Sequence, residues 1–140
     1  MADMSNFLET ELLDHIFNVA YAKPATWIAL YTTLPDEAGA GGTEVSGGAY
    51  ARIQVNINGG ATPTWDLAVT EGGGGFEVDN THEVAFATAT ASWGVVVGFT
   101  IMDASTAGNQ LVQKTLDSSK TVDVDDTFKF AIGDLSIIFR

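Results

Sequence analysis

Leu8, Leu12 and Ile16 fall at four-residue steps, with Leu13 and Phe17 widening the same apolar stripe. That periodicity predicts an amphipathic helix from about Asn6 to Asn18. Asn6 is placed to cap it, and Glu9 three residues later completes a capping-box pattern. Glu9, Glu11 and Asp14 lie near the start or on the outer side, where carboxylates suit a helix N-terminus. Pro24 keeps the helix from running much further.

Beyond Pro24 the period changes to two. Thr26 to Thr32 is apolar on both faces, as in a strand inside a packed sheet. In Ala49 to Ile57 the residues Ala51, Ile53, Val55 and Ile57 alternate with Tyr50, Arg52, Gln54 and Asn56, which predicts one buried and one wetter face. Further strands are expected at Val84 to Thr90, Val95 to Met102, Gln110 to Leu116, Thr121 to Val124, Thr127 to Ile132 and Leu135 to Phe139, with a weaker one at Thr64 to Val69. Turn signals separate them at Pro35-Asp36, Gly47-Gly48, Asn58-Gly59-Gly60, Gly108-Asn109 and Gly133-Asp134. Many short strands after one helix predict an all-β fold, an antiparallel β-sandwich or barrel-like module with one N-terminal α-helix. The chain is expected to form a single domain over 1–140, with 1–20 a helical arm and 24–140 the β domain. Two segments interrupt the pattern: the long Thr33 to Gly48 loop, and Glu71 to Gly75 with its four consecutive glycines, which resist regular structure.

Charge narrows the functions. Eighteen Asp and Glu face six Lys and Arg, a net charge of −12. Phosphate backbones are bound through clustered Lys and Arg, and the sequence has no such run, so direct nucleic-acid binding is not expected. There is no cysteine, which excludes disulfides and thiolate metal sites and fits assembly in a reducing cytoplasm. The opening residues carry no basic export region. The longest apolar run, Trp93 to Met102, is about half of a membrane span, so no membrane partner is expected. Its Gly94 and Gly98 read better as a strand end and a close packing point than as a membrane GxxxG pair.

Catalytic and metal signatures are missing. His15 and His82 have no zinc-type spacing. Asp123, Asp125 and Asp126 lack the glycine and distant glutamate of a calcium loop and read as a solvated turn. Ser46 precedes a Gly-Gly turn rather than sitting in a nucleophile elbow. Gly72 to Gly75 lacks the Lys and Ser/Thr of a phosphate-binding loop. A glycosidase carboxylate pair has no specific support. No cofactor, metal or enzymatic activity is expected. Among the aromatics, Trp27, Trp65, Trp93, Tyr31 and Tyr50 are the types that stack on sugars. Trp27 and Trp93 lie in apolar runs and are expected in the core, while Trp65, after Pro63, is the better surface candidate.

Several stretches resemble a family of small tailed-bacteriophage virion proteins. They are Ser5-Asn6-Phe7-Leu8-Glu9 running into Leu12 to Phe17, Trp27 to Thr33, Glu44 to Arg52, Val84-Ala85-Phe86, Ala89 to Gly94, Phe99 to Ala104, Lys120-Thr121-Val122, Asp126-Thr127-Phe128 and Gly133-Asp134-Leu135. The resemblance spans nearly the whole chain in order. It departs from the family at the Glu71 to Gly75 loop and at Ala87, where a proline often stands. Such proteins are tail-fibre-like or head-decoration components without enzymatic residues.

The resemblance thus implies a structural component of a tailed-phage virion. Absence of any repeat or heptad array disfavours a long fibre stalk. The expectation is a capsid decoration, or cement, protein bridging capsid subunits, with a tail-fibre or tail-tip adhesin as the alternative. Its partners would be the major capsid protein and copies of itself in a symmetric homo-oligomer. The candidate partner-interface residues are Leu8, Leu12, Ile16 and Trp65. The apolar helical face could equally pack on the chain's own sheet.

Overall fold

In the computed structural model β2 (Thr26–Thr33) is the central strand, and it is apolar on both faces as its sequence requires. Ile28 and Leu30 point into the main core, whereas Ala29 and Tyr31 join Met102, Trp27 and Leu34 in a second cluster on the opposite face. The structure describes residues 3–18 and 25–139; Pro24, expected to stop the helix, lies outside them.

The expected fold class holds: antiparallel sheets with one N-terminal helix. In chain order β1 (Asp3–Met4) and α1 (Asn6–Phe17) precede β2, and β3 (Thr43–Glu44), β4 (Ile53–Val55), β5 (Val69–Thr70), β6 (Phe76–Val78) and β7 (Val84–Ala85) follow it. The chain closes with β8 (Gly94–Met102), β9 (Gln110–Val122), β10 (Lys129–Phe130) and β11 (Ile137–Phe139). The large sheet runs β1-β9-β8-β2-β3, with β4 sharing the outer edge of β2 with β3. Two small sheets, β10-β7 and β11-β6-β5, supply Val84, Phe130 and Ile137 to the same core as Ile28, Leu30 and Phe99.

Aromatic rings run through this core in series. Phe99 meets Phe130 at 5.2 Å, Phe130 meets Phe128 at 5.2 Å, and Phe128 meets Phe86 at 6.0 Å, all edge-to-face. Phe86 then stacks on Tyr50 at 5.9 Å, and Trp93 closes edge-on against both. Edge-to-face geometry suits the ring quadrupoles and adds to the area buried.

Several expectations need correction. The helix cap is Ser5, not Asn6: Ser5 is buried, accepts from the Leu8 N–H at 3.2 Å and donates to the Gln110 carbonyl. Of the strand expected at Ala49 to Ile57 only Ile53–Val55 forms, because Gly47, Gly48 and Ala49 all take positive φ and start it late. Its apolar set is not uniformly inward either, since Ala51 and Ile57 are exposed. Val84 to Thr90 contributes only the two residues of β7, and Thr127 to Ile132 only the two of β10. Thr64 to Val69 is largely irregular, with isolated bridges from Thr64 to Asn56 and from Trp65 to Asn80, and only Val69 enters a strand, β5.

The segments Gln110 to Leu116 and Thr121 to Val124 merge into one strand, β9. Between the pairs Gly98↔Thr115 and Val96↔Lys120, residues 116–119 of β9 face only Val97 of β8. That bulge explains the break in the sequence pattern. Neither expected loop is structureless: the Thr33 to Gly48 segment contains β3, and both carry hydrogen-bonded turns. Asp36 Oδ1 accepts from the Ala38 and Ala40 N–H groups at 2.9 Å each, and Gly72 to Gly75 is the tip of the β5–β6 hairpin, closed by Glu71 N–H to Gly75 O at 2.9 Å. Gly94 opens β8 with φ 79°, and at Gly98 an added Cβ would lie 2.7 Å from the Lys114 carbonyl. The strand-end and close-packing readings of these glycines therefore stand.

Candidate partner interface and a buried ion pair

Among the described residues, the helix packs on the core through its first turn. Phe7 and Leu8 pack against the main core, and no residue of α1 is buried. Past that turn the apolar face turns to solvent: Leu12 is 37% exposed, Ile16 69% and Phe17 75%. Leu8 and Trp65, far apart in sequence, line one apolar groove of about 370 Å³. Val78, Leu111 and Ile137 form its walls, and exposed Ile57, Leu67 and Phe139 border it. Trp65, expected at the surface, is partly buried and donates its Nε1–H to Thr26 Oγ1 at 2.8 Å. Of the four residues singled out from sequence, two share the groove and two stand on the free helical face beyond it. Exposed apolar surface of this extent makes the helix face and the groove the candidate interaction site.

Away from the groove, a network unseen from sequence joins three elements. Arg52, its side chain 7% exposed, forms a two-pronged ion pair with Glu44, 26% exposed: Nε to Oε1 at 2.8 Å and Nη2 to Oε2 at 2.7 Å. Its Nη1 donates to the carbonyls of Ala104 and Ala107 at 2.9 and 2.8 Å. The planar guanidinium thus places four of its five N–H donors, tying the loop after β8 to β3. The Glu44 hydrogen bonds hold the Arg52 guanidinium above its ordinary value.

Tyr50 completes the network. β2 has its outer edge occupied by β4 at Thr26 to Ile28 and by β3 at Tyr31 to Thr33. In the gap the Leu30 N–H donates to the Tyr50 hydroxyl at 2.9 Å, and that hydroxyl donates to Glu44 Oε1 at 2.9 Å. A side-chain oxygen stands in for a strand carbonyl, so the central strand keeps its donor satisfied. Burial first, and then nearby Glu44, pushes the Tyr31 phenol up; for Tyr50 burial is the largest cause of a strong upward shift.

A phenol harder to ionise when folded than when unfolded leaves stability constant below the ordinary tyrosine value of 10.0. Above it the unfolded chain loses the proton first, so stability should fall by up to about 1.4 kcal/mol per pH unit per tyrosine. Urea unfolding at rising alkaline pH should show this slope, shallower in Tyr50→Phe. A flat profile through that range would refute the account.

Elsewhere, Lys114, Lys120 and Lys129 gather round a hollow of about 270 Å³ but alternate with Asp117 and Asp134. The Asp123 to Asp126 segment is a turn, with Asp123 N–H donating to Asp126 Oδ2 at 2.9 Å. Among the described residues no three His, Cys, Asp or Glu side chains gather to hold a metal ion, and no helix is long and apolar enough to cross a membrane.

A small antiparallel β module with a projecting amphipathic helix and an apolar groove has the surfaces of a protein that packs against neighbours. The family model described as podophage GP4 fiber I protein gp80 matches residues 3–138. The chain belongs to that family, a tail-fibre-like group of tailed-phage virion proteins, and is a virion structural component. No curated protein matches it at a significant level.

Proposed function

We propose that the chain is a non-catalytic fibre component of a podophage tail, seated on a neighbouring virion subunit through the free face of α1 and the adjoining groove. The fibre description of its family favours this over capsid decoration, the role its compactness first suggested, and nothing found here supports a cement role specifically. The lack of a repetitive stalk is accommodated if the module sits at the base or tip of a longer appendage. The observation that carries the reading is the apolar face of α1 past its first turn, where Leu12, Ile16 and Phe17 are exposed. A helical stripe of this kind is stable in water only through tertiary packing. On this reading the copies form a symmetric oligomer, and neither nucleic acid nor membrane is a partner.

Gold-labelled antibody against the chain should mark tails in electron micrographs of intact particles; head labelling would restore the decoration reading. The double variant Ile16→Glu/Phe17→Glu should unfold within about 0.5 kcal/mol of the parent, because both side chains are already solvated. It should nevertheless fail to enter particles when supplied in place of the parent chain. Normal incorporation would remove the helix from the interface.

A further inference from the structure

Trp27 was expected in the core, but it is only partly buried. Alternation along β2 sends it to the face opposite Ile28, away from the apolar groove. There it lines a cleft of about 530 Å³ between the segment 44–52 and the loop 103–109, together with Ser46, Arg52, Ser105 and Thr106.

We propose that this cleft binds a neutral saccharide. Its volume lies within the usual range for small-molecule sites, roughly 300–1,000 Å³. Sugars present an apolar C–H face and a rim of hydroxyls, and the cleft offers a match for each. Trp27 supplies an indole wall of the kind that packs on an apolar face. The hydroxyls of Ser46, Ser105 and Thr106 have no hydrogen-bond partner among the described residues, so they are free to exchange bonds with a ligand.

Charge selects the class of sugar. The two ionic groups of the cleft, Arg52 and Glu44, are spent on each other and on the Ala104 and Ala107 carbonyls. A carboxylated or phosphorylated sugar would find no free cation there, whereas a neutral one needs none. Both lips are also fixed in place. Arg52 holds the 104–107 backbone, and two of the three non-glycine residues with positive φ among the described residues, Ala49 at 65° and Ala107 at 50°, flank the site. Strained backbone held by its surroundings is characteristic of binding sites, and a rigid cleft loses less entropy on binding. The inference does not rest on the assembly reading, since the cleft shares no lining residue with the apolar groove.

Saturation-transfer difference NMR on the purified full chain tests it. The probes are D-glucose, D-galactose, D-mannose, N-acetyl-D-glucosamine and L-rhamnose, with glucuronic acid and phosphorylated glucose as charged comparators. At least one neutral sugar should receive saturation, strongest at the ring C–H protons that face Trp27. Trp27→Ala and the double variant Ser105→Ala/Thr106→Ala should each weaken that binding about tenfold or more. Val69→Thr, on the exposed β5–β6 hairpin and outside the cleft, should leave it unchanged. Trp27 also packs against the second cluster, so Trp27→Ala can fail by unfolding. The hydroxyl variant, which removes no packed group, then decides. Absence of transfer to every neutral sugar would overturn the proposal, as would transfer that survives the hydroxyl variant or is confined to the charged sugars.

Discussion

Arg52→Ala is expected to destabilise the fold by about 3 kcal/mol, near the lower end of the range for breaking a buried ion pair because Glu44 keeps some water. Three losses coincide. The Glu44 carboxylate, 26% exposed, loses both nitrogens of its clamp. The Ala104 and Ala107 carbonyls lose their shared donor, so the loop after β8 is released from the sheet. The cleft lined by Trp27 loses a wall. Arg52→Lys keeps the charge but not the fork, and should recover less than half of the loss. Urea unfolding monitored by circular dichroism measures both variants. A midpoint within error of the parent for Arg52→Ala would show that the network is decorative.

Gly98→Ala should cost about 2–3 kcal/mol, in the range of overpacked cores. The new Cβ would stand 2.6 Å from Leu34 Cδ1 and 2.7 Å from the Lys114 carbonyl. Leu34 is a side chain and can swing away. The Lys114 carbonyl is backbone, fixed by the β8–β9 ladder in which Phe99 pairs with Lys114. Relief would therefore require the two longest strands to part at the residue next to Phe99, which is buried in the core. Gly72→Ala is the fitting comparison: nothing lies within 4 Å of its added Cβ, and its effect should be within about 0.5 kcal/mol. Equal effects at the two sites would contradict the steric account.

These positions mark how far the sequence could be read. β2, β8 and α1 were legible because each has a long, undiluted period: alternation into two clusters for the strands, four-residue steps for the helix. The close approach at Gly98 was legible because a glycine inside an apolar run has few other uses. What could not be read depends on pairing across distance. The alternation of Ala49 to Ile57 fails because Tyr50 and Arg52, apparently on its wet side, are drawn inward by Leu30, Glu44 and the loop after β8. Nothing local in the sequence announces those partners. Trp27 misled for a related reason: an apolar run with two apolar faces has one face less well covered. In the candidate interface, Leu8 and Trp65 share a groove that only the folded sheet creates, while the free face of the helix was visible in its periodicity but its lack of cover was not.

The bulge in β9 has a consequence for the chain before it reaches a particle. Past Gln113 no further strand pairs with the outer edge of β9 among the described residues, and a long bare edge invites another molecule to add itself strand by strand. Here that edge is bent out of register by residues 116–119 and carries Lys114, Asp117 and Lys120, so an incoming backbone meets neither a straight ladder nor an apolar row. An edge broken and charged in this way disfavours the strand-by-strand addition of further copies.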